Sequence, residues 1–498
     1  MKPVLNLGAW RQLNGTEGSQ ALRLPAEHLV THGVVVGMTG SGKTGLLTVL
    51  IEEAARAMVP TLVIDVKGDL PNLLLSFPNF DATLLEPWIE RERDDMSAPE
   101  VSASAEQLAE KRQEFLAECG LGEPELSAYC AGTQVRVLTP GGTAGEPLHV
   151  LSSLERRSAR WDSDPEGARN ALSAAVSLVL RLIGREPDPA KSREHVLLSV
   201  LAERRLAAGE SADLNALMED VLTPPIERIG ALTVNGFMKR TERRSLAAAL
   251  NSLLAAPTFA NWRQGTALDI GEWLAPKKGK TPIVVLSVAH LDDEERALVL
   301  GVVLEEVLSW VRTLPGSQRL RALVVFDEVY GFLPPHPSNP PTKRPLVSLM
   351  KQARAFGVGV VVATQNPMDL DYRALSNAGL WFLGRLQTDA DRARVLDGLA
   401  AAHGADDSSE ALGNTLKRLA PRWFVVRNSH VSHPPVLLQP RFAMSLLRGP
   451  MTRGEIRAAR GVKARAPESM HAQRFESQED RSPWENGAEQ VGELPRAD

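Results

Sequence analysis

The chain has 498 residues, enough for one large core or for two to three ordinary ones. Hydrophobic residues make up 43% and charged residues 23%, the balance of a soluble globular protein, and the net charge of −5 excludes a global basic footprint. Any nucleic-acid contact is therefore local or lies inside an assembly. The two cysteines, Cys119 and Cys130, fit no metal motif and cannot build a disulfide framework, which suits a reducing compartment. No basic-then-apolar leader opens the chain, and no apolar run approaches the ~20 residues of a membrane span. The expectation is a cytoplasmic protein with no membrane partner.

Residues 1–32 are short and mixed, punctuated by Gly8, Gly15 and Gly18, and too few for a separate domain. Val34, Val35 and Val36 then predict a strand that ends in Gly37, Met38, Thr39, Gly40, Ser41, Gly42, Lys43 and Thr44. These eight residues fit the phosphate-binding pattern G-x-x-x-x-G-K-[ST] at every fixed position. Leu46, Leu47, Val49, Leu50 and Ile51 follow at helical spacing. A strand, a glycine loop and a helix in that order aim backbone N–H groups and a positive helix end at phosphate oxygens. Lys43 would reach the β- and γ-phosphates, and the Thr44 hydroxyl would hold Mg2+.

Residues 61–65 read as a second buried strand, ending in Asp65, Val66, Lys67, Gly68 and Asp69, where α/β sheets place their ligands. Residues 88–275 are rich in Ala, Leu, Glu and Arg. Helical periodicity covers about 102–119, 165–184, 192–208, 212–222 and 241–255, with Ser102 and Ser192 as N-caps and Gly184 and Gly209 as stops. Residues 135–138 are the one clear strand of that stretch. Its basic clusters, Arg156, Arg157 and Arg160, then Lys239, Arg240, Arg243 and Arg244, read first as solvated helix faces and second as nucleic-acid contacts.

Buried strands resume at 283–288, followed by a helix capped by Asp292 or Asp293 and running to about Arg312. Ala322, Leu323, Val324, Val325 and Phe326 lead into Asp327 and Glu328, a Walker B strand. Asp327 would order the Mg2+ shell and Glu328 would act as general base toward water. The next strand, 358–365, ends in Thr364 and Gln365; an amide there can both donate to the γ-phosphate and accept from water. A strand at 381–386, a helix at 389–399 and a hairpin from 423–427 and 435–438 close the fold, and 462–498 has the composition of a disordered tail.

The motif order resembles the HerA–FtsK superfamily of ring-forming P-loop ATPases, on its HerA-like side. Met350, Lys351, Gln352, Ala353, Arg354, Ala355, Phe356 and Gly357 carry the likeness before the sensor strand. Thr364, Gln365, Asn366 and Pro367 carry it at the strand's end, and Gly384, Arg385, Leu386, Gln387, Thr388 and Asp389 carry it beyond. The resemblance covers about 25–445 and implies an α/β fold with a RecA-like core: a mainly parallel sheet between helices, a large helical insertion and a disordered C-terminal tail. The expected division is core at 1–87, insertion at 88–275, core again at 276–449 and tail at 450–498.

The family hydrolyses ATP with Mg2+ between the subunits of a homohexamer and drives DNA through a central channel. By resemblance, residues 37–44 bind nucleotide, Thr44 and Asp327 serve the metal, and Lys43, Glu328 and Gln365 are catalytic. Arg354 and Arg385 match arginines that the family supplies near subunit boundaries. The proline-stiffened loop at 331–344 ends in Lys343 and Arg344, candidates for a phosphate backbone. HerA proteins carry a β-barrel before the P-loop and work with the nuclease NurA; 36 residues precede Gly37 here, a departure that weighs against a NurA-type partner. The alternatives are a motor on protein, similar to type IV secretion ATPases, and a non-processive nucleotide-dependent switch.

Overall fold

The computed structural model describes residues 3–13, 20–89, 98–155, 157, 160–365, 367, 370–375, 378–403, 409–431 and 434–465. Strands come in chain order as β1 (Val4–Gln12), β2 (Gln20–Pro25), β3 (Gly33–Val36), β4 (Thr61–Asp65), β5 (Thr133–Pro140), β6 (Glu146–His149), β7 (Arg228–Ile229), β8 (Leu232–Thr233) and β9 (Thr266–Ala267). Then follow β10 (Thr281–Ser287), β11 (Ala322–Asp327), β12 (Val358–Thr364), β13 (Leu380–Leu383), β14 (Phe424–Asn428) and β15 (Val436–Pro440). Apart from the small β7–β8 hairpin, they form one sheet in the order β2-β1-β15-β14-β13-β3-β12-β11-β4-β10-β5-β6-β9.

From β13 to β9 every pairing is parallel, and from β13 to β2 every pairing is antiparallel. The parallel centre explains the sequence pattern. Residues of β3, β4, β10, β11 and β12 are all buried, because helices cover both faces. Val35, Val63, Val325 and Val361 pack with Leu46, Leu47, Leu50 and Ile51 of the helix Lys43–Arg56. Val34, Val36, Ile64, Val324 and Val362 pack on the other side with Val299, Val302, Val303 and Val307 of the helix Asp293–Thr313. The helix Pro165–Leu182 lies against that helix, and Arg193–Ala207 lies against Pro165–Leu182.

Several helix ends follow their local chemistry. Ser192 caps its helix by accepting from His195 N at 3.1 Å, and Asp292 forms a capping box with Glu295. Gly184 and Gly209 terminate theirs at φ +69° and +76°. Ser102 does not cap: its helix starts at Ala98, and its hydroxyl donates to Glu86 instead. Sequence periodicity missed β6 and β9, at four and two residues too short to carry a period; β6 joins the main sheet beside β5 and β9 beside β6.

The first residues also join the sheet. Leu5 and Leu7 of β1 are fully buried, and Gly8 lies so close to β15 that a Cβ would meet the Gln439 carbonyl at 2.2 Å. The tail expected at 462–498 begins with the last turn of the helix Arg453–Arg465; residues 466–498 lie outside the described ones. No helix among the described residues is long and apolar enough to cross a membrane.

One buried charge cluster ties the helix Lys43–Arg56 to the chain after β15. Arg441 pairs with Glu52 at 2.9 Å and with Glu53 at 3.0 Å, all three side chains at most 4% exposed. Glu52 also accepts from the backbone N–H groups of Met444 and Ser445, and Glu53 from that of Asn6. Every oxygen of the two carboxylates is thereby used, which is the condition for burying them. Arg441→Ala should lower unfolding stability in urea by about 3–5 kcal/mol, because Glu52 is left in the core without a cation and Glu53 keeps only Arg56. Adding Glu52→Gln and Glu53→Gln should recover part of the loss; a single variant with a wild-type midpoint would show that the cluster is not what holds the helix.

Candidate nucleotide site

The loop at 37–42 turns between β3 and its helix by using left-handed backbone. Gly42 has φ +95°, and a Cβ there would meet Arg422 Cα at 3.2 Å. The loop is pinned from three sides: Gly37 N–H donates to the Thr364 carbonyl at 3.3 Å, Met38 N–H to that of Arg385 at 3.0 Å, and Arg422 N–H to that of Ser41 at 2.9 Å. Ser41 Oγ is buried with no hydrogen-bond partner. Lys43 starts the helix, is 6% exposed and donates back to the carbonyls of Gly37 and, at 3.1 Å, Met38. Burial lowers its pKa to about 8; Lys67 adds to the shift, while Glu328 and Asp327 oppose it. An orphaned hydroxyl and a partly desolvated ammonium folded onto its own loop are the groups that the oxygens of an anion would satisfy.

The acids stand one strand pair away. In register, Asp327 of β11 and Ser287 of β10 both lie beside Asp65 of β4. Asp65 is fully buried and accepts from Ser287 Oγ at 2.8 Å and Gly68 N at 2.9 Å, so it shapes the loop that follows it. Burial raises its pKa to about 6. Asp327 is 3% exposed, and burial, then Asp65 and Glu328, raise its pKa to about 7. A divalent cation beside Asp327 would reverse that crowding. Among the described residues no cluster of His, Cys, Asp and Glu holds a metal by itself. Asp327 and Thr44 offer the one or two protein oxygens that Mg2+ takes where phosphates and water complete its shell.

Glu328 adopts φ +58°, uncommon for a side chain of its size. Its carboxylate is held on both flanks, by Lys67 Nζ at 2.7 Å and by Gln365 N–H at 3.3 Å. Gln365 Oε1 in turn accepts from the Thr39 hydroxyl at 2.6 Å, which links the end of β12 to the phosphate loop. Lys43, Asp327, Glu328, Gln365 and Thr44 are thus brought to one end of the sheet, because β12 lies between β3 and β11. Sequence reasoning gave Lys67 no role. The signal was its position two residues past a buried strand's final Asp, but its partner lies 261 residues away.

The arginines separate. Arg385 is exposed just beyond β13, at the mouth of its own phosphate loop. Arg354 is exposed on the turn Ala353–Phe356, before β12 begins; the seven residues of β12 put it about 20 Å from its own loop. Lys343 is 13% exposed and pairs with Asp371 at 3.4 Å, while Arg344 is exposed and donates to Asn170 at 2.9 Å. In the second basic cluster Arg243 is buried and donates to the carbonyls of Val221 and Leu222, whereas Lys239, Arg240 and Arg244 are exposed. In the first, Arg157 pairs with Asp162 and Arg156 lies outside the described residues.

Residues 11–84 match the family model described as Helicase HerA-like C-terminal. The DNA double-strand break repair helicase HerA of Saccharolobus solfataricus is 25% identical over 193 residues, 38% of this chain and 36% of that protein, so the chain covers about a third of the length of that relative. Among solved structures, VirB4 of Thermoanaerobacter pseudethanolicus aligns over 88% of this chain and 96% of its own at 14% identity, TM-score 0.49. The plasmid coupling protein TrwB in complex with ADP and Mg2+ aligns over 90% and 97% at 13% identity, TM-score 0.47.

The crowded carboxylates make stability depend on pH. Asp327 keeps its proton in the folded chain up to about pH 7, against an ordinary value of 3.8. Between those values the folded chain binds more protons than the unfolded one, so this contribution to stability is complete below 3.8 and is lost as pH rises through about 7. Asp327→Asn, which cannot ionise, should stabilise the ligand-free chain in urea, and by about 2–3 kcal/mol more at pH 8 than at pH 5. Equal gains at the two pH values would contradict a desolvated carboxyl at 327.

Proposed function

We propose that this chain, a P-loop ATPase of the HerA–FtsK superfamily, hydrolyses ATP with Mg2+ between the subunits of a homohexameric ring and uses the energy to move along or unwind DNA. The observation that carries the reading is the convergence of Lys43, Asp327, Glu328 and Gln365 at one end of the central strands while Arg354 sits at the opposite end. The first four suit binding and hydrolysis within one subunit. Arg354 is too far from its own loop to act there and is exposed, as a residue lent to a neighbour's site must be.

In that reading the N–H groups of residues 37–44 cradle the β-phosphate and Lys43 exchanges its loop carbonyls for β- and γ-oxygens. Thr44 and Asp327 would hold Mg2+, which neutralises charge between those oxygens when bound. Glu328 takes a proton from the attacking water, and the Gln365 amide orients that water. Arg354 of one subunit stabilises charge spreading on the γ-phosphate of the next. Arg385, at the mouth of its own loop, acts within its own subunit. DNA as the substrate is supported by the repair helicase among the relatives. Arg344 is the more exposed of the two candidate DNA contacts, since Lys343 is tied to Asp371.

ATP turnover measured with and without double-stranded DNA tests the whole. Several-fold stimulation is expected; hydrolysis indifferent to DNA would favour a protein substrate or a switch. Lys43→Ala should reduce nucleotide binding to background. Glu328→Gln should keep ATP bound while turnover falls by about 10²–10⁴. Mixing Arg354→Ala with Lys43→Ala subunits should restore part of the activity that each lacks alone, and a mixture that recovers none would remove the inter-subunit role of Arg354.

A further inference from the structure

Among the described residues Lys67 is the one cation that pairs with the Glu328 carboxylate, at 2.7 Å, and sequence motifs give it no task. Lys67 is exposed, and its charge is also felt at Lys43, Asp327 and Asp69, so it stands on the open side of the same end of the sheet. The two partners differ in freedom. The Lys67 side chain is 35% exposed on a flexible stem, whereas Glu328 is 12% exposed and fixed by the N–H of Gln365. An ion pair open to water on its lysine side is weak and readily exchanged.

Three groups of the site are satisfied by neighbours, Lys43 by its loop carbonyls, Gln365 by Thr39 and Glu328 by Lys67. A triphosphate brings a larger, denser negative charge to this place than Glu328 offers. In the reading above Lys43 turns to the β- and γ-oxygens, while Lys67 follows β4, the strand that pairs with β11, and so lies beside Asp327 and Glu328.

We propose that Lys67 senses the γ-phosphate: its ammonium rests on Glu328 and transfers to the terminal phosphate of a bound triphosphate, which frees the carboxylate to face the attacking water. The proposal rests on the nucleotide-site reading above and adds a reason for hydrolysis to await a triphosphate. A diphosphate does not reach Lys67 and leaves Glu328 latched. Lys67 is a positioning residue for Glu328.

The test measures binding of ADP and of a non-hydrolysable ATP analogue with Mg2+ to the full chain, in wild type, Lys67→Met, Lys67→Arg, Glu328→Gln and the Lys67→Met/Glu328→Gln double variant. Lys67→Met should weaken the analogue by roughly tenfold, the worth of one charge-assisted hydrogen bond, and leave ADP unchanged. Lys67→Arg should keep most of the preference for the triphosphate. Glu328→Gln should tighten the analogue and not ADP, because Lys67 no longer has a carboxylate to leave, and the double variant should lose that gain. Parallel changes for the analogue and ADP would mean a purely structural lysine and overturn the proposal. So would a Glu328→Gln gain that survives without Lys67, since that is simple relief of charge repulsion. A wild-type chain that binds neither nucleotide would instead remove the site reading itself, a distinct result.

Discussion

Three carboxylates and two ammonium groups share one end of this sheet, and their mutual field governs the site. Asp65, Asp327 and Glu328 come from adjacent loops, and packing does not let them move apart. The chain meets this crowding in three ways. Asp65 is surrounded with hydrogen-bond donors, Asp327 keeps a proton into the neutral range, and Glu328 is paired with Lys67. Lys43 carries the opposite problem, a cation with carbonyls for company. In the proposed nucleotide reading, each half lacks what a metal–triphosphate complex would carry.

The sheet is what makes the crowding possible. Inserting β12 between β3 and β11 opens a gap one strand wide between the phosphate loop and the acids, and Gln365 fills it. The antiparallel strands β14, β15, β1 and β2 extend the sheet on the other side, and the Arg441 cluster fastens that extension to the helix that begins with Lys43. The phosphate loop is thereby held from behind by a buried ion cluster and from the flanks by the ends of β12 and β13.

Legibility in the sequence followed locality. The phosphate loop and the Walker B strand were readable because their chemistry occupies consecutive residues beside strong strand and helix patterns. Ser192, Asp292, Gly184 and Gly209 were readable for the same reason. Ser102 misled because a polar residue inside a helix satisfied by Glu86 looks like a cap in one dimension. β1 and β2 were missed because their alternation spans few apolar residues, Leu5 and Leu7 foremost, and the strand that joins β1 to the sheet, β15, lies more than 400 positions later. The Lys67–Glu328 pair was invisible for a related reason: neither residue is unusual in its own segment, and only the registry of β4 with β11 joins them. Arg354 and Arg385 looked alike as exposed cations near the sensor strand, and only the direction of β12 tells them apart.

The neighbours of β3 have a consequence for synthesis on the ribosome. Val36 pairs with Thr364 of β12 on one side and with Leu383 of β13 on the other, so the glycine loop emerges early while both strands that flank it emerge more than 300 residues later. At 5–20 residues per second that wait lasts roughly 15–65 s. Throughout it Val34, Val35 and Val36 form an unpaired apolar edge, the kind that recruits chaperones or mispairs with other chains. Until β12 and β13 have followed it out of the exit tunnel, β3 lacks both of its partners in the sheet.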